Sequence, residues 1–196
     1  MNLIKFYIVL SISVFYTLSA NAQCLYTAGQ TIAGNGYTYK CDTDWGGFIL
    51  HNTDNVWAMT EQKYKDGSRL KGTDVRNGFV CSADAFSQIS NAIRSKFTSE
   101  QIDLARGEIL VMDIFINSNS GKIDGVNFMF NSFKNAWCRI PVDTYRSIEV
   151  MLKNTYTFNI TDLGKNFNYN KLTVLIKYPK TVLTTGPGGK ILPPLK

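Results

Sequence analysis

Apolar and polar positions repeat along this chain with two different periods, and the switches between them mark its elements. Over residues 85–97 the apolar side chains Ala85, Phe86, Ile89, Ala92, Ile93 and Phe97 recur at three- and four-residue spacing, which predicts a helix with one apolar face. Ser82 stands before it as an N-cap. Thr98-Ser99-Glu100-Gln101 fits a capping box, so a short second helix is predicted from there to Arg106, stopped by Gly107. Residues 108–117 are apolar on both faces, through Ile109, Leu110, Val111, Met112, Ile114, Phe115 and Ile116, the pattern of a central strand. A turn at 118–121 leads to a returning strand over 122–130, where Val126, Phe128 and Phe130 alternate with Asn127 and Met129. Pro141 suits a first helical turn, and Tyr145, Ile148, Met151 and Leu152 supply the inward face of a helix over 142–153. The last strand is predicted over 172–178, with Leu172, Val174, Ile176 and Tyr178 on one face.

Residues 23–60 read as β structure. Gly34-Asn35-Gly36 is a turn signal, and Tyr37, Thr38, Tyr39, Lys40 and Cys41 are rich in strand formers. Two further strands, Phe48 to His51 and Val56 to Met59, are expected to flank a hairpin loop at 52–55. Residues 61–78 are polar and punctuated by Asp66-Gly67, Lys71-Gly72 and Asn77-Gly78, an exposed loop or a weak hairpin. The expected fold class is α+β: an antiparallel sheet with helices packed on one face, preceded by an aromatic-rich β-hairpin segment. The chain divides into a leader at 1–22, a β-rich segment at 23–80, an α+β region at 81–179 and a flexible Gly/Pro-rich tail at 180–196.

From residue 83 the order is helix, strand, turn, strand, helix, strand. With the segments GEILVMDIFINSNSGKIDGVNFMF, IPVDTYRSIEVMLKN and KLTVLIKYP, this half of the chain resembles the C-terminal domain of TonB and small secreted domains of uncharacterised bacterial families. The resemblance implies an α+β fold and says little about activity, because one fold hosts many functions. TonB-like energy transducers also carry an N-terminal membrane helix and a Pro-rich spacer, which this sequence does not show.

The first residues change the picture of where the protein works. Lys5 precedes an apolar run over 6–18, and Ala20-Asn21-Ala22 fits a signal-peptidase site, so cleavage before Gln23 and export are expected. The destination would be the periplasm, the outer membrane surface or the cell exterior. The run falls short of the roughly 20 residues that span a bilayer, so no transmembrane segment is expected after cleavage. Lipid attachment at Cys24 is the rival processing, although Gln23 and Asn21 are poor matches to the positions before a lipidated cysteine. Cys24, Cys41, Cys81 and Cys138 all follow the leader, and an even count in an exported chain predicts two disulfides. Of the three connectivities, Cys24–Cys41 with Cys81–Cys138 is preferred: the first pins the new N-terminus and the second clips a helix start to a later loop. A net charge of +6, scattered along the chain, argues against nucleic acid as a partner.

Candidate chemistry is sparse. His51 is the sole histidine, so sites needing two or more imidazoles are excluded, and no motif for a metal or cofactor appears. Asp42 and Asp44 form the one D-x-D; on a strand both carboxylates share a face, which suits a hydrolase pair acting on glycans. The same segment also begins like a calcium loop and fails at its twelfth position, Thr53. Trp45, Trp57, Tyr37 and Tyr39 are candidate ligand-binding aromatics, since such rings offer apolar faces with a polar handle. The expected function is therefore an exported, non-enzymatic binding or interaction module of the bacterial envelope or exterior, with a glycan or an envelope protein as partner. The alternative is a secreted glycan hydrolase using Asp42 and Asp44.

Overall fold

The computed structural model describes residues 24–44, 47–131 and 135–179. The leader, Trp45, the side chain of Asp44 and the tail from residue 180 lie outside the described residues. Eight strands are present among them: β1 Thr31–Gly34, β2 Tyr37–Asp44, β3 Gly47–Asn52, β4 Phe79–Val80, β5 Ile109–Ile116, β6 Ile123–Phe130, β7 Asn159–Ile160 and β8 Asn170–Lys177. Three α-helices accompany them: α1 Ala83–Arg94, α2 Ser99–Leu104 and α3 Val142–Thr155. Six strands form one sheet in the order β1-β2-β3-β6-β5-β8, antiparallel throughout; β4 and β7 pair separately. The fold is thus α+β, with the segment before residue 80 and the region after it supplying strands to the same sheet through the β3–β6 pairing.

Local signals place the elements. The Ser82 side chain accepts the Ala85 amide at 3.1 Å and starts α1. The capping box at the head of α2 is formed in both directions, Gln101 N–H to Thr98 Oγ1 at 3.3 Å and Thr98 N–H to Gln101 Oε1 at 3.0 Å. Pro141 takes the N-cap of α3 rather than its first turn. At the β5–β6 turn, Gly121 has φ +70° and its carbonyl accepts the Phe158 amide at 2.9 Å. A Cβ there would meet the Phe158 carbonyl oxygen at 1.9 Å, so only glycine lets the two backbones approach.

One departure from the sequence reading matters for function. Val56 to Met59 is a run of turns and not a strand. Asn52 Oδ1 accepts the Asp54 amide at 3.0 Å and Asn55 Oδ1 accepts that of Trp57 at 3.2 Å, so two successive asparagine turns coil the backbone there.

The core lies between one face of the sheet and the helices. Tyr39, Cys41, Leu50, Phe128, Met112 and Val174 project from the strands toward Ile89, Ile93, Tyr145, Ile148 and Leu152, with Trp137 of the 3₁₀ turn Ala136–Arg139 closing the end. Burial of this much apolar surface is the dominant favourable contribution to the fold. No described helix is long and apolar enough to cross a membrane.

Candidate functional site

The opposite face of the sheet carries the polar side chains. Strand registers align Lys40, His51, Asn127, Asp113 and Thr173 in one row across β2, β3, β6, β5 and β8. Beside it runs a second row, Asp42, Ile49, Met129, Val111 and Leu175. Alternation by two puts both rows on the face away from the helices. His51, Asn127 and Asp113 are nevertheless buried, because the turns after β3 fold back over them.

Asn127 is the anchor of that cover. Its Nδ2 donates to the Ala58 carbonyl at 2.7 Å and its Oδ1 accepts from Asn55 Nδ2 at 3.1 Å. Gly125, next on the same face, makes room: a Cβ there would sit 2.3 Å from Asn55 Cγ. Trp57 donates its indole N–H to Asp124 Oδ2 at 3.1 Å and packs on Tyr169 with ring centres 5.1 Å apart. Tyr169 also meets Phe115 at 5.1 Å and donates its hydroxyl to the Thr60 carbonyl at 2.5 Å. Burial pushes the Tyr169 phenol above its ordinary range, so it stays a neutral donor.

Between this cover and the sheet opens a cleft of about 520 Å³. Ile49, Phe115, Met129 and Tyr169 give it apolar and aromatic walls, Met59 and Glu61 stand on its rim, and Asp113, Asn127 and Lys171 line its polar side. The Asp113 carboxylate is satisfied at both oxygens, by Lys171 Nζ at 3.0 Å and by Thr173 Oγ1 at 2.6 Å. Farther along the row, Asp42 is held in the same way: Lys40 Nζ lies 2.8 Å from Oδ1 and His51 Nε2 lies 2.9 Å from Oδ2. Burial raises the Asp42 carboxyl, but the hydrogen bonds from His51 and Lys40 and their charges outweigh it and leave the group below its ordinary range. His51 Nδ1 faces the Asn52 carbonyl at 3.1 Å. Both ring nitrogens therefore face acceptors, and both hydrogen bonds form together only when the imidazole carries two protons.

The aromatics singled out from sequence are dispersed. Tyr39 is fully buried on the helix side, where its hydroxyl donates to Glu149 of α3. Tyr37, half-buried, meets Tyr39 edge-on at 5.7 Å, donates to Asp143 and lies under the Arg146 guanidinium at 5.6 Å. Trp57 is on the other face of the sheet, so these three rings do not share a cleft. Asp42 occupies the polar face. Sequence reading missed Asp113, Asn127, Lys171 and Tyr169 as site residues; the available signal was a lone aspartate inside the apolar run ILVMDIFI. Among the described residues no group of three or more His, Cys, Asp or Glu side chains is placed to hold a metal ion.

The four cysteines are not joined by any sulfur–sulfur bond. The Cys24 and Cys138 thiols lie close enough to interact, with Cys41 near enough to Cys24 to be felt electrostatically. Cys81 lies apart at the head of α1, in a groove with Phe79, Phe86 and Leu172. The preferred sequence pairing of Cys81 with Cys138 thus has no counterpart in the fold, since the 3₁₀ turn presents Cys138 to the N-terminal segment instead.

No curated protein matches this chain. Among solved structures, the crystal structure of a DUF5043 family protein from Bacteroides uniformis ATCC 8492 is similar, with 27% identity, a TM-score of 0.74, and coverage of 87% of this chain and 97% of that one. Residues 22–174 match the family described as "Domain of unknown function (DUF5043)". The helices, the turns that cover the polar face and all of the sheet but the end of β8 fall within that span, and the chain belongs to the DUF5043 family.

Proposed function

We propose that this protein is an exported, non-enzymatic binding module of the bacterial envelope or exterior, which takes its ligand in the cleft between the 53–61 turns and the outer face of the sheet. The observation that carries the reading is the composition of that cleft. Inside the cleft the charged pair Asp113 with Lys171 is neutralised internally, Asn127 is held by the turns above it, and Tyr169, Phe115, Met129 and Ile49 form the apolar and aromatic walls. Such a site offers contact area, a few fixed polar groups and no poised acid or base. A glycan or a segment of an envelope protein fits this chemistry. Export rests on the leader-like residues 1–22, and the resemblance of residues 83–178 to the C-terminal domain of TonB is consistent with a place in the envelope.

Glycan-array binding and affinity capture from envelope extract, each with the wild-type chain and with Met59→Arg, test the proposal. Met59 is exposed on the rim, so the arginine obstructs the mouth without touching the core. Binding by the wild type that is lost in the variant is the expected result. Binding equal in both places the ligand elsewhere, and silence from both removes the module reading. The competing idea, a glycan hydrolase through Asp42 and Asp44, has less support. Lys40 and His51 occupy both Asp42 oxygens and keep the group ionised, which bars it from acting as a general acid. Unchanged turnover of any cleaved glycan by Asp42→Asn would dispose of it.

A further inference from the structure

We infer that Cys24 and Cys138 form a disulfide in the exported protein, tying the start of the folded chain to the 3₁₀ turn Ala136–Arg139 and leaving Cys24 no sulfur for lipid attachment. This rests on the export reading, which supplies an oxidising compartment. The two thiols lie within interaction range of each other, and the Cys24 thiol donates to the Tyr26 carbonyl at 3.2 Å. Their backbones are held together on the same side: the Leu25 amide donates to the Cys138 carbonyl at 2.8 Å, and the Tyr26 hydroxyl donates to the Ile140 carbonyl. Tyr26 is buried against Phe130 and Tyr145, with ring centres 6.0 and 6.3 Å away, so residues 24–26 are seated by packing as well as by hydrogen bonds. An acylated Cys24 would have to turn outward, yet its sulfur accepts the Tyr26 amide at 3.4 Å and points at the core.

Cys41 is the nearest competitor. Its backbone is committed to the turn at 27–30, through Cys41 N–H to the Gln30 carbonyl at 2.9 Å and Gly29 N–H to the Cys41 carbonyl at 2.7 Å. It is fully buried beneath that turn, whereas Cys24 is half-buried and is the sulfur an oxidant reaches first. Burial also raises the Cys138 thiol well above its usual range and that of Cys41 to about 12, which makes both poor first attackers. The Cys24 thiolate attacks the disulfide of a dithiol oxidase or of oxidised glutathione and forms a mixed disulfide. Cys138 then gives up its proton and attacks Cys24 Sγ, expelling the reduced oxidant. One S–S bond forms in the protein and one breaks in the oxidant, which takes the two electrons; the two thiol protons leave with it or to solvent.

Full-length protein purified from the exported fraction without reductant, alkylated after denaturation and mapped by non-reducing mass spectrometry, gives the test. The expected product is a single Cys24–Cys138 cross-linked peptide pair, lighter by two hydrogens than the sum of its parts, with Cys41 and Cys81 alkylated. The link persists in the double variant C41S/C81S and disappears in C24S, and reductant lowers the Tm of the wild type by several degrees. Alkylation of all four cysteines, a Cys24–Cys41 or Cys81–Cys138 link, or an acylated Cys24 overturns the inference. N-terminal sequencing of the same sample separates this from the export reading. A Gln23 start with four alkylated thiols leaves export standing and removes the disulfide. An intact Met1 on cytosolic protein whose Cys24 and Cys138 link readily in oxidised glutathione does the reverse.

Discussion

Asp42 and Glu149 show how single carboxylates are used on the two faces of the sheet. Asp42 joins Lys40 to His51 at the outer face; Glu149 is fully buried under the inner one, where Tyr39, Asn52, Arg146 and Lys153 converge on it. Burial raises both groups, and their hydrogen-bond donors and cations outweigh it, so both titrate below the ordinary range. A carboxyl that titrates lower when folded contributes stability above its unfolded pKa, roughly 4, and loses it as pH falls through the folded value. Asp42→Asn is expected to cost about 0.5–1 kcal/mol at pH 7, a cost that shrinks toward zero in strong acid; urea titrations at several pH values measure it. Glu149→Gln is expected to cost more, about 2–3 kcal/mol at pH 7, because Arg146 and Lys153 lose their counter-charge and one of the two carboxylate oxygens becomes an amide donor facing them inside the protein. These roles were only partly legible in sequence. Tyr39 and Glu149 lie on β2 and α3, far apart in the chain, and no spacing rule pairs them.

Among the elements, turn chemistry decided the one major departure from the sequence pattern. Val56 to Met59 has the composition of a strand, but Asn52 and Asn55 coil the segment and Asn127 receives it. Replacing Asn127 with Leu removes both of its bonds and is expected to free the 55–60 turns. Hydrogen exchange of the Ala58 and Thr60 amides should then accelerate about tenfold or more, while the β5 and β6 amides keep their protection. Unchanged protection of the turns would show that Trp57 and Tyr169 suffice to hold them. The β5–β6 hairpin is more sharply specified. Gly121→Ala puts a Cβ into the Phe158 carbonyl at a positive φ and is expected to cost at least about 2 kcal/mol in denaturant titrations. By contrast, α1, α2 and α3 follow from periodicity and caps within their own segments, which is why their positions were predictable within a few residues.

At the scale of the whole molecule, the β3–β6 pairing makes the N-terminal strands integral. They cover half of the sheet and carry Tyr39, Cys41, Phe48 and Leu50 into the common core. A chain starting at residue 61 would expose the β6 edge and the apolar face around Phe128 and Phe130. Such a truncation is expected to lose cooperative thermal unfolding by circular dichroism; a sharp transition would show that the chain from residue 61 folds without the first three strands. The same pairing builds the cleft, whose walls come from β3, β5 and β6 together with the 53–61 turns and Tyr169.

Periodicity, capping and turn signals were enough by themselves for the α+β class, the three helices and the strands β5, β6 and β8, since these depend on residues within one turn or one strand of each other. The early sequence also foretold aromatic-rich β structure. What only tertiary packing decided was partnership across the chain: Cys24 facing Cys138, Asn55 and Ala58 meeting Asn127, Lys171 neutralising Asp113, and Tyr39 and Trp57 sent to opposite faces. Each of these contacts joins residues from separate strands or loops, and strand order, which fixes them, is a property of the sheet and of no single segment.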